Sequence, residues 1–387
     1  MTRVYSTTHQ PQVGVARSRL TRRALVAAVI AAAASMPRWS APMASALEQW
    51  QPPTAPSTTA QAVYVYDATA GVPLLGLEAD MPRPPASLTK VATALVAMNL
   101  LDLNAMVTID PSDLASMEES RVGLIAGDVL SVRDLLAGML IASGNDASKA
   151  IARFTGGTVL GAAPGAEVSA FVDAMNAMAA DLGLSQTHFD NPSGLDSDGQ
   201  YSSPRDLAML TVEAMRNPVF AEIVGTISEV LPSTVPPGGY PIHTTNDFLL
   251  DGYALGVKTG TTDLAGGCLI TATITGGNLL ITVVLGSELT TDEFGTHSPA
   301  RFDDTRRVID TVTQAYAWVD PSLPGTFPTL DAELAAWQVA LPPTGLIPVP
   351  IDAMDDAFRV RLSGDAGDLV VMAGDQVLTT RPLTGIA

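Results

Sequence analysis

The first regular alternation of apolar and polar positions in the body of the chain predicts a β-hairpin. Residues 62–66 are β-prone, the turn sequence Asp-Ala-Thr-Ala-Gly follows, and residues 72–75 supply the returning strand. Pro73 has no N–H to donate, so we expect the second strand to lie at a sheet edge or to be weak at that point. Pro84 and Pro85 then interrupt regular structure, and the apolar stretch 88–101 predicts a helix.

The middle of the chain is predicted to be helical from its start signals. Ser131 is a capping residue in front of an apolar run that continues to about Ala142, and a second helix should begin near Asp146. A helical pattern recurs at 168–182, and Ser203-Pro204 places proline at the first position of one more helix.

The C-terminal half returns to strands before its last helix. Residues 267–275 and 278–287 are β-branched and apolar, and Gly276-Gly277 predicts a hairpin between them. Residues 299–319 predict a helix, whereas 321–387 are proline-rich with short alternating stretches and predict a small β-rich C-terminal domain. Strands near both ends with helices between them indicate an α+β fold, in which helices pack on an antiparallel sheet.

The N-terminus has the pattern of an export signal. Arginines precede an apolar run of 13 residues at 24–36, and no acidic residue occurs before Glu48. That run is too short for a stable membrane helix, which needs ~20 residues. Ala44-Ser45-Ala46 is an A-x-A cleavage site, so we predict a signal peptide at 1–46; the alternative is an uncleaved membrane anchor.

The export prediction also sets the expected domain boundaries and location. Thr21-Arg22-Arg23 resembles the start of a twin-arginine signal. Residues 47–61 are rich in Pro, Ser, Thr and Gln and predict a flexible leader, which leaves 62–320 as the main domain. We expect the mature protein in the periplasmic or cell-wall space, or secreted.

Composition excludes several classes of function. Of the 387 residues 47% are hydrophobic, which is ample for a core, and the formal net charge is −19. Such acidity argues against a nucleic-acid partner, because nothing offsets the repulsion of phosphates. The single cysteine, Cys268, excludes an intrachain disulfide and a cysteine-rich zinc site. Neither a G-x-S-x-G elbow nor an H-E-x-x-H helix occurs, so a Ser-His-Asp hydrolase and a zinc peptidase find no support. We expect no metal and no cofactor.

Lysine usage directs attention to a few positions. The chain carries 18 arginines but only three lysines, Lys90, Lys149 and Lys258. Arginine is always protonated, whereas a desolvated lysine can become neutral and act as a base. Lys149 follows Asp146 on a predicted helix and is interpreted as a solvated charge; the other two lie in motifs.

The first motif is Ser87-Leu88-Thr89-Lys90, at the start of a predicted helix. A spacing of three places the lysine on the same helix face as the serine, one turn away. A serine hydroxyl is a poor nucleophile until a base takes its proton, and a buried lysine can be that base if desolvation lowers its pKa. The positive end of the helix dipole also disfavours the ammonium form.

Two further motifs can bind a peptide substrate. Ser143-Gly144-Asn145 lies in a predicted helix-to-helix turn, where serine can relay a proton and the asparagine amide can bind a carbonyl group. Lys258-Thr259-Gly260 precedes the strong hairpin; its lysine and threonine can bind a carboxylate, and its glycine permits close approach of a substrate backbone. Each motif alone is a weak signal, but the three in this order are a specific combination.

Together with their surroundings, these motifs resemble the D-alanyl-D-alanine carboxypeptidases, the low-molecular-mass penicillin-binding proteins of the serine peptidase class. The resemblance runs from about Ala62 to about Asp310. Its extended matches are Pro84-Pro85-Ala86-Ser87-Leu88-Thr89-Lys90, Ser143-Gly144-Asn145-Asp146-Ala147, Thr187-His188-Phe189, Asn191-Pro192-Ser193-Gly194-Leu195, and Gly256-Val257-Lys258-Thr259-Gly260 followed by Ala265-Gly266.

The resemblance implies a β-lactamase/transpeptidase-like fold and an acyl-enzyme mechanism. By position, Ser87 would be acylated, Lys90 would be its base and Ser143 the proton relay, with the backbone N–H groups of Ser87 and Thr261 as the oxyanion hole. The substrate-binding residues that it implies are Asn145, Lys258, Thr259, Gly260, Thr261 and Arg301. The implied partners are peptidoglycan stem peptides ending in D-Ala-D-Ala, and β-lactam antibiotics.

The chain departs from the family pattern in two places, and further functions stay open. Thr261 stands where the family often has His or Tyr, and residues 380–385 cannot form an amphipathic membrane helix, so membrane association is not indicated. A class A-like β-lactamase would need a carboxylate for deacylation, yet Glu167 is the only glutamate between 146 and 212 and lacks the E-x-x-x-N context. The same motifs are also compatible with a D,D-endopeptidase and with a non-catalytic wall-binding protein.

Overall fold

The computed structural model of the chain describes residues 53–289, 300–321, 346–351, 358–362, 368–373 and 376–382. The described strands are β1 (Ala62–Asp67), β2 (Val72–Leu77), β3 (Met106–Thr108), β4 (Val129–Ser131), β5 (Ser228–Leu231), β6 (Tyr240–His243), β7 (Gly256–Thr262), β8 (Gly266–Thr275), β9 (Asn278–Ser287), β10 (Tyr316–Val319), β11 (Ile347–Pro350), β12 (Phe358–Leu362), β13 (Asp368–Ala373) and β14 (Gln376–Pro382). The described helices are α1 (Lys90–Leu100), α2 (Val132–Ile141), α3 (Asn145–Thr158), α4 (Glu167–Asp181), α5 (Pro204–Met215), α6 (Pro218–Val224), α7 (Asp247–Leu250) and α8 (Ala300–Ala315). Among these helices none is both long and apolar enough to cross a bilayer.

A five-stranded antiparallel sheet forms the centre of the fold. Its strand order is β2-β1-β9-β8-β7, so an N-terminal hairpin and a later three-stranded meander meet at the β1–β9 pair. Gly276 and Gly277 connect β8 to β9 with positive φ angles of 58° and 91°, which glycine adopts without strain. The expected α+β sheet is confirmed, and β2, which carries Pro73, is an edge strand as predicted. Within the described residues β7 forms the opposite edge.

Helices cover both faces of this sheet. The larger core lies between one face and the helices α1 to α6, and the smaller core lies between the other face and α8. In the smaller core Val308 and Val312 of α8 pack with Leu74, Val284 and other fully buried side chains of β1, β2 and β9. The sheet is therefore packed on both faces.

Two of the predicted helix starts are confirmed by their side-chain caps. Ser131 accepts a hydrogen bond from the Asp134 N–H at 3.1 Å, and Asp134 accepts one from the Ser131 N–H, so α2 opens with a capping box. Ser203 caps α5 through the Asp206 N–H at 3.1 Å, with Pro204 at the first helical position.

The last helix ends earlier than predicted. We expected helix over 299–319, but α8 ends at Ala315 and residues 316–319 form β10, which pairs with β11. The cause is tertiary: Trp318 lies against Gly276, where an added Cβ would be 2.3 Å from the Trp318 Cγ, and its indole N–H donates to Asp67 Oδ2 at 3.0 Å. Strands β12 to β14 form a separate three-stranded antiparallel sheet. The boundary at 320/321 stays a prediction, and the signal peptide and residues 47–52 of the leader lie outside the described residues. Near the end of the predicted flexible leader, the Thr59 N–H donates to Asp304 Oδ1 at 3.0 Å and Ala60 is buried.

Candidate active site

Ser87 lies in a short 3-10 turn, Ala86–Thr89, directly before α1. Two glycines make room for this turn. A Cβ at Gly194 would lie 1.9 Å from the Ala86 carbonyl oxygen, and a Cβ at Gly260 would lie 3.0 Å from the Ser87 nitrogen. Ala86 itself has a positive φ of 48°. The serine is thus held from two sides by backbone that only glycine allows to approach so closely.

Lys90 is completely buried and its amine touches three oxygen atoms. The Nζ atom lies 2.8 Å from Ser87 Oγ, 2.8 Å from Asn145 Oδ1 and 2.5 Å from the Ser193 carbonyl oxygen. Burial, followed by the nearby charge of Lys258, holds the pKa of Lys90 well below its ordinary value. The burial on which the base hypothesis depends is therefore present.

The neutral form of this amine has a defined orientation. A neutral amine has two N–H donors and one lone pair, and the carbonyl oxygens of Asn145 and Ser193 can only accept. The two hydrogens therefore point to those oxygens, and the lone pair points to the hydroxyl of Ser87 at 2.8 Å. The arrangement can accept the serine proton without any movement of side chains.

Ser143 and Asn145 lie where α2 passes into α3, as the sequence predicted. Ser143 has a positive φ of 59° and lines the same cleft as Ser87. Asn145, the first residue of α3, uses both ends of its amide: Oδ1 accepts from Lys90, and Nδ2 donates to Glu119 Oε2 at 2.9 Å.

The motif Lys258-Thr259-Gly260 lies on the edge strand β7, in front of the serine turn. Lys258 is 1% exposed and donates to the Thr259 carbonyl oxygen at 2.8 Å. Burial, with a further contribution from the charge of Arg301, lowers its pKa to about 7. The Thr259 and Thr245 hydroxyl groups are 2.5 Å apart. Thr261 follows on the same strand and also lines the cleft.

Arg301 enters the cleft from the first turn of α8. Its guanidinium group donates to the Gly260 carbonyl oxygen at 2.6 Å, and it is 6% exposed. Burial lowers the pKa of Arg301 from its ordinary value, but an arginine stays cationic under ordinary conditions. Two buried basic side chains therefore lie at this edge of the sheet: Arg301 lines the cleft, and Lys258 is buried next to it.

These side chains surround one cleft of about 740 Å³. The predicted residues that line it are Ser87, Ser143, Asn145, Thr259, Gly260, Thr261 and Arg301. Lys90 and Lys258 lie behind its wall as buried side chains. Within the part of the chain that the structure describes, no group of three or more His, Cys, Asp or Glu side chains could hold a metal ion.

Sequence reasoning missed two groups that contact the site residues. The Ser193 carbonyl oxygen binds Lys90, but no sequence signal marks this role, because any amino acid supplies a carbonyl. Glu119 lies on an irregular segment without a motif, and only the fold brings it to Asn145. The interpretation of Lys149 as a solvated charge was wrong in part, since its amine forms an ion pair with Glu119 at 3.4 Å.

Known proteins are similar to this chain in sequence and in fold. The family model Peptidase_S11, described as D-alanyl-D-alanine carboxypeptidase, matches residues 49–289. D-alanyl-D-alanine carboxypeptidase DacB2 of Mycobacterium tuberculosis is 38% identical over 234 residues, which cover 59% of this chain and 76% of that protein. The D-alanyl-D-alanine carboxypeptidase of Streptomyces sp. strain K15 is 35% identical over 267 residues, or 66% of this chain and 88% of that protein. The crystal structure of the Streptomyces K15 DD-transpeptidase superposes with a TM-score of 0.61 at 33% identity, covering 67% of this chain and 99% of that one.

Proposed function

This chain belongs to the D-alanyl-D-alanine carboxypeptidase family, and from that premise we propose how its cleft carries out the reaction. The protein is a serine-type D-Ala-D-Ala carboxypeptidase, which removes the terminal D-Ala from its peptide substrate. The assignment of individual residues to steps is our proposal. The observation that carries it is the buried amine of Lys90, 2.8 Å from Ser87 Oγ.

In the first step Ser87 Oγ attacks the carbonyl carbon of the penultimate D-Ala, and the lone pair of Lys90 takes the hydroxyl proton. The backbone N–H groups of Ser87 and Thr261 bind the oxyanion, where one donor is typically worth ~3 kcal/mol. The bond to the terminal D-Ala then breaks, and Ser143 relays a proton to its departing amine. A water molecule hydrolyses the serine ester, which releases the shortened peptide and restores the Ser87 hydroxyl.

The basic side chains beside β7 explain the preference for a chain end. A free C-terminal carboxylate can bind Thr259 and lie near Lys258 and Arg301, while the peptide backbone extends along the open edge of β7. Asn145 keeps one amide N–H for a substrate carbonyl. We infer that the substrates are peptidoglycan stem peptides ending in D-Ala-D-Ala and that β-lactam antibiotics acylate Ser87.

Release of D-Ala from a peptide ending in D-Ala-D-Ala tests this function. We expect release by the purified protein, loss in Ser87→Ala, and no loss in Ser112→Ala, which changes an exposed serine outside the cleft. Activity that survives in Ser87→Ala would refute the proposal. A cross-linked stem-peptide dimer in the same assay measures endopeptidase activity, which we expect to be lower because the cross-link removes the free carboxylate.

A β-lactamase function finds less support. Glu167 begins α4 and accepts a hydrogen bond from the Gly165 N–H, and it is not among the residues that line the cleft. The one glutamate between 146 and 212 is therefore not placed to activate a deacylating water. We expect penicillin to form a lasting adduct and not to be turned over quickly.

We also propose that the protein works outside the cytoplasm. The proposal is supported by the arginine-rich N-terminus, the 13-residue apolar run and the A-x-A site at 44–46. N-terminal sequencing of the mature protein should begin at Leu47. An intact N-terminus on a membrane-bound protein would favour the uncleaved anchor.

A further inference from the structure

Glu119 contacts the catalytic machinery although it belongs to none of the three motifs. It lies on the irregular segment between the Pro111–Asp113 turn and β4, and its side chain is 18% exposed at the wall of the cleft. Its Oε2 accepts from Asn145 Nδ2 at 2.9 Å and from Lys149 Nζ at 3.4 Å. Its Oε1 accepts from the Ser116 N–H at 3.1 Å. Three donors therefore fix the carboxylate in one place.

The contact with Asn145 selects one of two possible amide orientations. A carboxylate only accepts hydrogen bonds, so Asn145 must turn its NH₂ group to Glu119 and its carbonyl oxygen to Lys90. The reverse orientation would place an N–H donor against the Lys90 amine. That donor would compete with the Ser87 hydroxyl for the lone pair of the neutral amine.

We propose that Glu119 is a positioning residue for acylation: it holds Asn145 Oδ1 toward Lys90, which keeps the lysine lone pair directed at Ser87. The same contact leaves the second N–H of Asn145 Nδ2 free to donate to a substrate carbonyl. The inference rests on the proposed function, because it concerns the step in which Ser87 is acylated. Glu119 acts through Asn145 and touches neither the serine nor the lysine.

Neighbouring residues provide matched controls. Glu118 lines the same cleft on the same segment, but it is exposed and makes no hydrogen bond or ion pair with the described residues. Lys149 pairs with Glu119 without reaching Asn145. Glu118→Ala removes only a cleft carboxylate. Lys149→Met removes the ion pair with Glu119 and the 3.5 Å contact of the lysine amine with the Leu114 carbonyl oxygen. The two variants therefore separate the Asn145 contact from general charge and from anchoring of the segment.

The test is the second-order rate constant for acylation by a fluorescent penicillin, measured on the purified protein. Hydrogen bonds to charged groups are strong enough that Glu119→Ala should lower this constant by roughly ten- to hundredfold. Glu119→Gln keeps an acceptor oxygen at the same place, so it should stay much closer to the wild-type value. Glu118→Ala and Lys149→Met should remain within about threefold of wild type.

A double-mutant cycle decides whether Glu119 acts through Asn145. In an Asn145→Ala background, Glu119→Ala should cause little further loss, because the amide that it orients is gone. The inference is overturned if Glu119→Ala acylates at the wild-type rate, if Lys149→Met loses as much, or if the Glu119→Ala loss is undiminished without the Asn145 amide. Failure of the wild-type protein to acylate at Ser87 would instead refute the proposed function.

Discussion

The titration of Lys258 should set the alkaline limit for carboxylate substrates. Burial is the main reason that its pKa falls to about 7, and the charge of Arg301 adds to it. A carboxylate is bound well only by the ammonium form. As pH rises through 7 the free enzyme loses this proton, so kcat/KM for a peptide with a free C-terminus should fall roughly tenfold per pH unit. A matched peptide with an amidated C-terminus should lack that decline.

Lys258→Met removes the charge from a side chain that is only 1% exposed, where water cannot replace it. A charge-assisted hydrogen bond is worth about 1.5–3 kcal/mol, so kcat/KM for the carboxylate peptide should fall roughly 10- to 150-fold near pH 6. Lys258→Met should also move the acid limb of the pH profile of kcat/KM. Lys258 is, after burial, the next contributor that lowers the pKa of Lys90, so its removal raises that pKa and shifts the acid limb to higher pH.

Steady-state rates from about pH 5 to 10, with both peptides and both proteins, provide the assay. The proposed role of Lys258 is refuted if wild-type kcat/KM for the carboxylate peptide is flat from about pH 6 to 9, or if the amidated peptide declines in parallel. It is also refuted if Lys258→Met loses equally with the two peptides, because the lysine would then not recognise the carboxylate.

Three further predictions concern the scaffold around the site. Gly194→Ala should lower the free energy of unfolding by about 2–5 kcal/mol, because the new Cβ would lie 1.9 Å from the Ala86 carbonyl oxygen and the residue has a φ of +87°. The control Gly165→Ala has a similar φ of +89° but open space around it, so it should cost about 1 kcal/mol. Equal losses for the two variants in thermal unfolding would contradict this. Cys268 is buried, which raises its pKa to about 11, so iodoacetamide should label it only in denaturant; rapid labelling of the native protein would count against the fold. Burial alone would raise the pKa of Asp128, but hydrogen bonds from Ser233, Thr234 and Tyr240 lower it below the value in the unfolded chain. The ionised carboxylate therefore stabilises the fold above the unfolded pKa of about 3.9, and this stabilisation is lost as the pH falls toward the lower folded pKa. Asp128→Asn should make the free energy of unfolding fall less steeply between about pH 4 and 2, and an unchanged slope would disprove this.

Local patterns predicted much of the fold because their causes are local. The capping sequence at Ser131 and the glycine pair at 276–277 act over a few residues, and the structure has both elements at the predicted positions. Residues 316–319 were predicted wrongly because their partner is distant: β10 pairs with β11 and Trp318 binds Asp67, which is 251 positions away. The pattern of side chains within 316–319 does not indicate which distant residues will pair with this segment.

The same distinction applies to the candidate site. The serine and lysine of the first motif are three positions apart, so one helical turn predicts their contact, and the structure has it at 2.8 Å. The Ser193 carbonyl is 103 positions from Lys90, and Glu119 is 26 from Asn145 on a segment without regular structure. Neither the direction of a backbone carbonyl nor the path of an irregular loop follows from the sequence pattern. The low pKa of Lys90 also required the fold, because burial is its first cause.

The most direct test of the central claim is the site of penicillin acylation. The purified protein is incubated with penicillin and digested, and the modified peptide is mapped by mass spectrometry. We expect one adduct, on Ser87, which is absent in Ser87→Ala and forms far more slowly in Lys90→Met. An adduct on any other residue, or one that forms at the wild-type rate without the Lys90 amine, would contradict the claim.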